Sequence, residues 1–136
     1  MGGFALPREA RLSGKRAFDA VAREGRRFAD ALLALRVRRN GLALTRFGLA
    51  VRRGEGGAVG RNRMKRRLRE AFRLGRPALP AGLDMVCGPN GATDRTPLPD
   101  LMASLGRLAA KANRDPRLAA PAPRPPEPPR APEPPR

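Results

Sequence analysis

Residues 59–73 read V-G-R-N-R-M-K-R-R-L-R-E-A-F-R. Seven of the fifteen are Lys or Arg, and Glu70 is their one acidic neighbour. Met64, Leu68 and Phe72 nevertheless recur at every fourth position. At about 100° per residue, Leu68, Ala71 and Phe72 lie within about 80° of Met64 and form an apolar stripe. Asn62, Arg66, Arg69 and Arg73 fall roughly opposite, Lys65 and Arg67 flank the stripe, Arg61 sits in the first turn and Arg63 on the far shoulder. The spacing predicts a helix that docks one side on a core, turns a cationic ridge outward and ends near Gly75 and Pro77.

Such a ridge repels itself. Glu70 offsets only one or two neighbours, and basic residues in the first turn oppose the helix dipole. Asn62 adds a neutral donor and acceptor near the N-terminus, where exposed backbone N–H groups favour phosphate. Three readings compete. A solvated charged face normally mixes signs, and this one is almost all positive. A membrane-surface helix wants bulky apolar anchors, and Met64, Leu68 and Phe72 are better explained as core. A polyphosphate-binding surface fits best.

The whole chain agrees with that reading. It has 136 residues and a formal net charge of +17, a charge that opposes compaction unless a polyanion neutralises it. Lys15, Lys65 and Lys111 are the only lysines; the remaining basic residues are Arg, whose planar fork grips phosphate and stacks on bases. A GC-rich coding background would also enrich Arg, Ala, Gly and Pro, so the bias alone decides nothing. Cys87 is the single cysteine, and His, Tyr and Trp are absent. These counts exclude an internal disulfide and a Ser–His or Cys–His nucleophile, and no zinc-ligand spacing occurs. The twelve acids are scattered, so the chain is not expected to perform chemistry with its own side chains. No run approaches the roughly 18 apolar residues of a membrane span, and M-G-G-F-A-L-P-R-E lacks secretory and myristoylation features. A cytoplasmic location is expected.

Residues 13–24 place Ala17, Phe18, Val21 and Ala22 at helical spacing, with Ser13 as the expected cap and Gly25 as the stop. Leu33, Leu35 and Val37 share one face of a strand, Asn40-Gly41 begins a turn, and Phe47, Leu49 and Val51 share a face of the next strand. After the charged helix, L-D-M-V-C is a short strand that G-P-N-G breaks. Thr96–Ala112 reads as a last helix capped by Thr96, with Leu101, Leu105, Leu108 and Ala112 as its stripe. The order indicates an α+β domain with helices against one sheet. From Pro116 onward the chain is proline-rich and repeats P-E-P-P-R, which suggests an extended, disordered appendage. Expected boundaries are a flexible 1–9, a domain at 10–113 and a tail at 114–136.

R-N-R-M-K-R-R-L-R-E-A-F-R resembles the signature of the bacterial ribonuclease P protein component. Arg11, Leu12, Phe18 and Val21 resemble that family's opening, R-F-G-L-A-V (46–51) its R-x-G-L-x-V strand, G-G-A-V (56–59) its lead into the helix, and L-D-M-V its later strand. The resemblance implies an α-β-β-β-α-β-α sandwich with one mixed sheet and a left-handed β-α-β crossover, the fold of the second domain of ribosomal protein S5. It further implies a protein subunit that assists a catalytic RNA, with Mg²⁺ bound mainly by that RNA, in cutting the 5′ leader from precursor tRNA. No obligate protein partner is evident.

By that resemblance Arg61, Asn62, Arg63, Lys65, Arg66 and Arg69 would meet the catalytic RNA, and helical geometry adds Arg73. Phe18 and Val21 would face a leader cleft between the first helix and the sheet, where an aromatic ring stacks on an unpaired base; a plain core role for Phe18 is the alternative. Arg46, Arg52 and Arg53 would guide leader phosphates, or form a generic basic rim. Ala22 stands where a second aromatic is common, a strand Tyr near Leu35 is missing, R-R-G-E replaces an S-K-K-type exit, and Gly88, Pro89 and Asn90 replace basic residues. The competing function is a structural RNA-binding protein such as a ribosomal protein.

Overall fold

Strand β2 (Leu33–Arg39) turns Leu33, Leu35 and Val37 into the core and Ala34, Arg36 and the buried Arg38 to its other face, and this period of two organises the sheet around it. β1 (Arg26–Ala29) pairs antiparallel with β2, placing Phe28 opposite Leu35. β4 (Leu83–Pro89) pairs antiparallel on the other side, with Cys87 opposite Leu35 and Met85 opposite Val37. β3 (Arg46–Leu49) runs parallel to β4, so the order is β1-β2-β4-β3 in one mixed sheet. Among the described residues the α-helices are α1 (Lys15–Glu24), α2 (Gly57–Gly75), which connects parallel β3 and β4, and α3 (Leu98–Arg114). This computed structural model describes residues 8–52 and 57–118.

One face of the sheet carries the main core. Leu33, Leu35, Val37, Phe47, Leu83, Met85 and Cys87 meet Met64, Leu68, Ala71 and Phe72 of α2 and the apolar stripe of α3. Phe47 and Phe72 stack with centroids 4.4 Å apart and planes 9° from parallel, an arrangement worth about 0.5–1.5 kcal/mol beyond area burial. α1 packs on the other face, where Val21 is fully buried and Phe18 rests against Gly48.

Beneath α1 the sheet is tied by a buried carboxylate. Asp84, fully buried, accepts from Arg46 Nε at 2.8 Å, Arg46 Nη2 at 2.7 Å and Asn40 Nδ2 at 2.9 Å. Arg38 Nη2 lies 3.2 Å away, and its Nη1 reaches Glu24 at the end of α1 at 3.1 Å. Asp30 has the same role at the β1–β2 turn. It accepts from the Leu32 and Leu33 N–H groups and from Ser104 and Arg107 of α3.

Several expected boundaries move. Ser13 does not cap α1: Gly14, at φ 90°, takes the cap position and turns the chain out of an extended segment. Thr96 does not cap α3 either; its Oγ1 accepts from Thr93 N–H at 2.9 Å, and Pro97 precedes the helix. G-P-N-G does not break β4 at Cys87, because Gly88 and Pro89 pair with Ala34 and Leu33. β3 ends at Leu49, before Val51. Residues 8 and 9 belong to a 3-10 turn whose Ala10 is buried, so the ordered chain starts before residue 10. At the other end α3 runs to Arg114, and Leu118 enters the core while its carbonyl accepts from Arg39 Nε at 3.1 Å. The packed chain therefore passes residue 113 and includes Pro116–Leu118. The rest of the expected tail, and residues 1–7, lie outside the described residues.

Acid sensitivity follows. Burial alone would raise both carboxyls, but their hydrogen bonds outweigh it: Ser104, Leu33, Leu32 and Arg107 bring Asp30 to about 2, and Arg46, Asn40 and Arg38 lower Asp84. Unfolded Asp titrates near about 3.9, so this stabilisation is complete above that value and lost as pH falls through the folded values. Urea midpoints should hold between pH 6 and pH 5 and decline from about pH 4 toward pH 2. At pH 6, Asp84→Ala should cost about 3–5 kcal/mol, because it leaves Arg38 and Arg46 without their buried partner.

Candidate nucleic-acid interface

The apolar spacing of α2 fixes its orientation. Met64, Leu68, Ala71 and Phe72 are its buried residues, and Asn62, Arg63, Arg66 and Arg69 are exposed on the other side. Arg61, Lys65 and Arg73 are half-buried at the margins. The helix starts at Gly57, slightly ahead of the charged run.

Their charges are not equally available. Arg63 Nη1 pairs with Asp94 at 3.1 Å. Arg73 grips Glu70 through Nε at 3.1 Å and through Nη2; this contact holds Glu70 below its usual range and raises Arg73. Arg67, on the flank, donates to the Thr96 carbonyl and ties α2 to the loop before α3. Among the described residues no carboxylate pairs with Arg61, Lys65, Arg66 or Arg69. The ridge is therefore uncompensated at Arg61, Lys65, Arg66 and Arg69, while Arg63 and Arg73 are held by ion pairs.

A groove of about 440 Å³ joins this ridge to the opposite face of the sheet. Lys65 and Arg69 line one side, and Arg11, Ser13 and Phe18 line the other. Its geometry comes from the edge strand. Arg11 bridges Phe47 in parallel register, and Leu12 N–H donates to Phe47 O at 2.9 Å. Gly48 forms the floor: a Cβ there would lie 2.7 Å from Phe18 Cζ, so only glycine lets the ring settle on the strand. Phe18 is half-buried and stays outside the main core cluster.

The other expected cleft residues fare differently. Val21 is fully buried under α1 and does not face a cleft, because the helix needs one apolar residue wedged against the sheet. Arg46 is committed to Asp84 by two hydrogen bonds, which raise its pKa, rather than standing ready for phosphate. Arg52 is exposed just beyond β3, and Arg53 lies outside the described residues. Arg11 and Ser13 were missed as groove residues; Gly48 inside a strand was the available signal, since glycine there often marks close approach.

The one cysteine lies in the core, away from the groove and the ridge. Burial and the nearby Asp30 charge push the Cys87 thiol up to about 12. Among the described residues, no three His, Cys, Asp or Glu side chains gather as a metal site.

Comparison with known proteins gives a consistent result. A family profile described as Ribonuclease P matches residues 6–113. The chain is 40% identical over 122 residues to the ribonuclease P protein component of Xanthomonas campestris pv. campestris, covering 89% of this chain and 81% of that protein. It is 36% identical over 108 residues to the Roseiflexus castenholzii component, covering 79% and 88%. Among solved structures, the RNase P protein from Thermotoga maritima superposes with a TM-score of 0.67 at 30% identity, covering 74% of this chain and 96% of that one.

Phe18→Ala should weaken binding of single-stranded RNA by about 1–3 kcal/mol, the usual worth of a base stacked on an aromatic ring. Gly48→Ala should weaken it in the same direction by displacing the ring. Fluorescence-anisotropy titration alongside thermal melts checks both; a fall in stability with affinity intact would assign Phe18 to packing alone.

Proposed function

The chain belongs to the ribonuclease P protein family, and from that membership we propose that it binds a catalytic RNA subunit and precursor tRNA and assists removal of the 5′ leader. The observation that carries this reading is the two-sidedness of α2. Its apolar side is sealed in the core, while Arg61, Lys65, Arg66 and Arg69 have no carboxylate partner among the described residues. Uncompensated guanidinium groups on a rigid helix match the phosphates of a folded RNA.

Hydrolysis of the phosphodiester is assigned to the RNA partner, and Mg²⁺, which would activate water and stabilise the leaving oxygen, to that RNA's own phosphates. This chain contributes binding and position. Arg66 and Arg69 neutralise backbone charge, which lowers repulsion between the two RNAs. Arg63 and Arg73 join by exchanging Asp94 and Glu70 for phosphate, one anionic partner for another. Phe18 offers a stacking surface at the groove, where Lys65 and Arg69 also reach. The ribosomal-protein alternative is not favoured, since the family match spans the folded region. No helix among the described residues is long and apolar enough to cross a membrane.

Purified protein alone should leave precursor tRNA intact, whereas protein with a bacterial ribonuclease P RNA should cleave it at lower Mg²⁺ than the RNA alone. Cleavage by protein rigorously freed of RNA would overturn the assignment. Arg66→Ala and Arg69→Ala should each lower the slope of log affinity against log salt by about 0.7–0.9, and unchanged slopes would remove these side chains from the interface.

A further inference from the structure

A second basic site lies at the β1 edge of the sheet, away from α2. Arg27 and Arg36 are direct cross-strand partners on β1 and β2. Facing residues of an antiparallel pair point to the same side, with Cβ atoms about 4.5–5.5 Å apart, and like charges there are destabilising. Both side chains are exposed. Among the described residues no carboxylate pairs with either, and the nearby Glu24 is engaged by Arg38 at 3.1 Å.

Arg36 is also held in place. Its Nε donates to the Ala22 carbonyl at 3.3 Å. Its stem passes so close to Gly25 that a Cβ there would lie 3.2 Å from Arg36 Cγ. Two exposed arginines in direct register, one of them held in place, repel each other unless an anion offsets their charge.

The register places this pair in line with the groove. Arg27 faces Arg36, Arg36 faces Val86, and Val86 faces Gly48, so one row crosses the sheet. Phe18 stands over Gly48 at one end of the row, and α1 follows it until the Ala22 carbonyl meets Arg36. At about 4.8 Å per strand, Arg36 and Arg27 lie about 10 and 14 Å from the Gly48 position. We propose that Arg27 and Arg36 clamp a backbone phosphate of bound RNA, at the far end of a track that starts at the Phe18 groove and follows α1. The phosphate belongs either to the precursor's leader or to the catalytic RNA, and the proposal rests on the function inferred above.

The test measures salt-dependent binding of the full chain to a bacterial ribonuclease P RNA alone, and of the reconstituted holoenzyme to precursor tRNAs with long and short leaders. Arg27→Ala with Arg36→Ala should lower one of these slopes by about 0.7–0.9 per lost contact. Arg27→Lys with Arg36→Lys should largely retain it. A drop with the RNA subunit alone identifies that RNA as the source; a drop only with the long-leader precursor identifies the leader. Arg27→Ala by itself, at a side chain without a carboxylate partner, should leave the thermal midpoint level or higher, where a structural role would lower it. Unchanged slopes with every RNA, while Arg66→Ala with Arg69→Ala still lowers its own, would overturn the clamp and leave the function standing. If neither pair of substitutions moves any slope, both fall.

Discussion

Asp84 is the constraint on which the sheet beneath the groove depends. Its carboxylate accepts from Arg46 on β3 and from Asn40 at the end of β2, and it pairs with Arg38, which in turn holds Glu24 of α1. Three strands and a helix thus converge on one buried anion. In a chain of formal charge +17 such an anion is scarce, and its position decides which arginines are structural. Arg38 and Arg46 stabilise the sheet, whereas Arg61, Arg66 and Arg69 have no carboxylate partner among the described residues.

The same economy governs α2. A helix this basic gains little from its own surface, so its stability must come from the four buried residues and from the Phe47–Phe72 stack. The stack joins α2 to β3, whose Gly48 floors the groove. Ridge and groove are therefore set on one packed unit, and a surface shaped in advance limits the ordering cost of any association.

Much of this was legible in the sequence. The four-residue recurrence of Met64, Leu68 and Phe72 gave the orientation of α2, and the alternation of Leu33, Leu35 and Val37 gave the central strand, because burial imposes those periods directly. The short β1 was not marked by its own residues: R-R-F-A has one buried apolar side chain and depends on pairing with β2. Val21 and Phe18 share one apolar stripe, and periodicity alone does not separate the residue that is sealed from the one left at an opening. Arg46 looked like a phosphate guide because its partner, Asp84, lies 38 residues along the chain. Cap positions also misled, since Ser13 and Thr96 have the right chemistry, but neighbouring Gly14 and Pro97 set the backbone.

The two ends of the described chain leave from opposite borders of the sheet. Arg11 lies along β3 beside the groove, whereas the carbonyls of Arg117 and Leu118 are held by Arg26 of β1 and Arg39 of β2. An affinity tag or fluorophore joined ahead of Arg8 would therefore crowd the groove mouth. One attached after Leu118 would emerge at the β1 border, clear of the α2 ridge, and is the better handle for immobilising the protein without obstructing that helix.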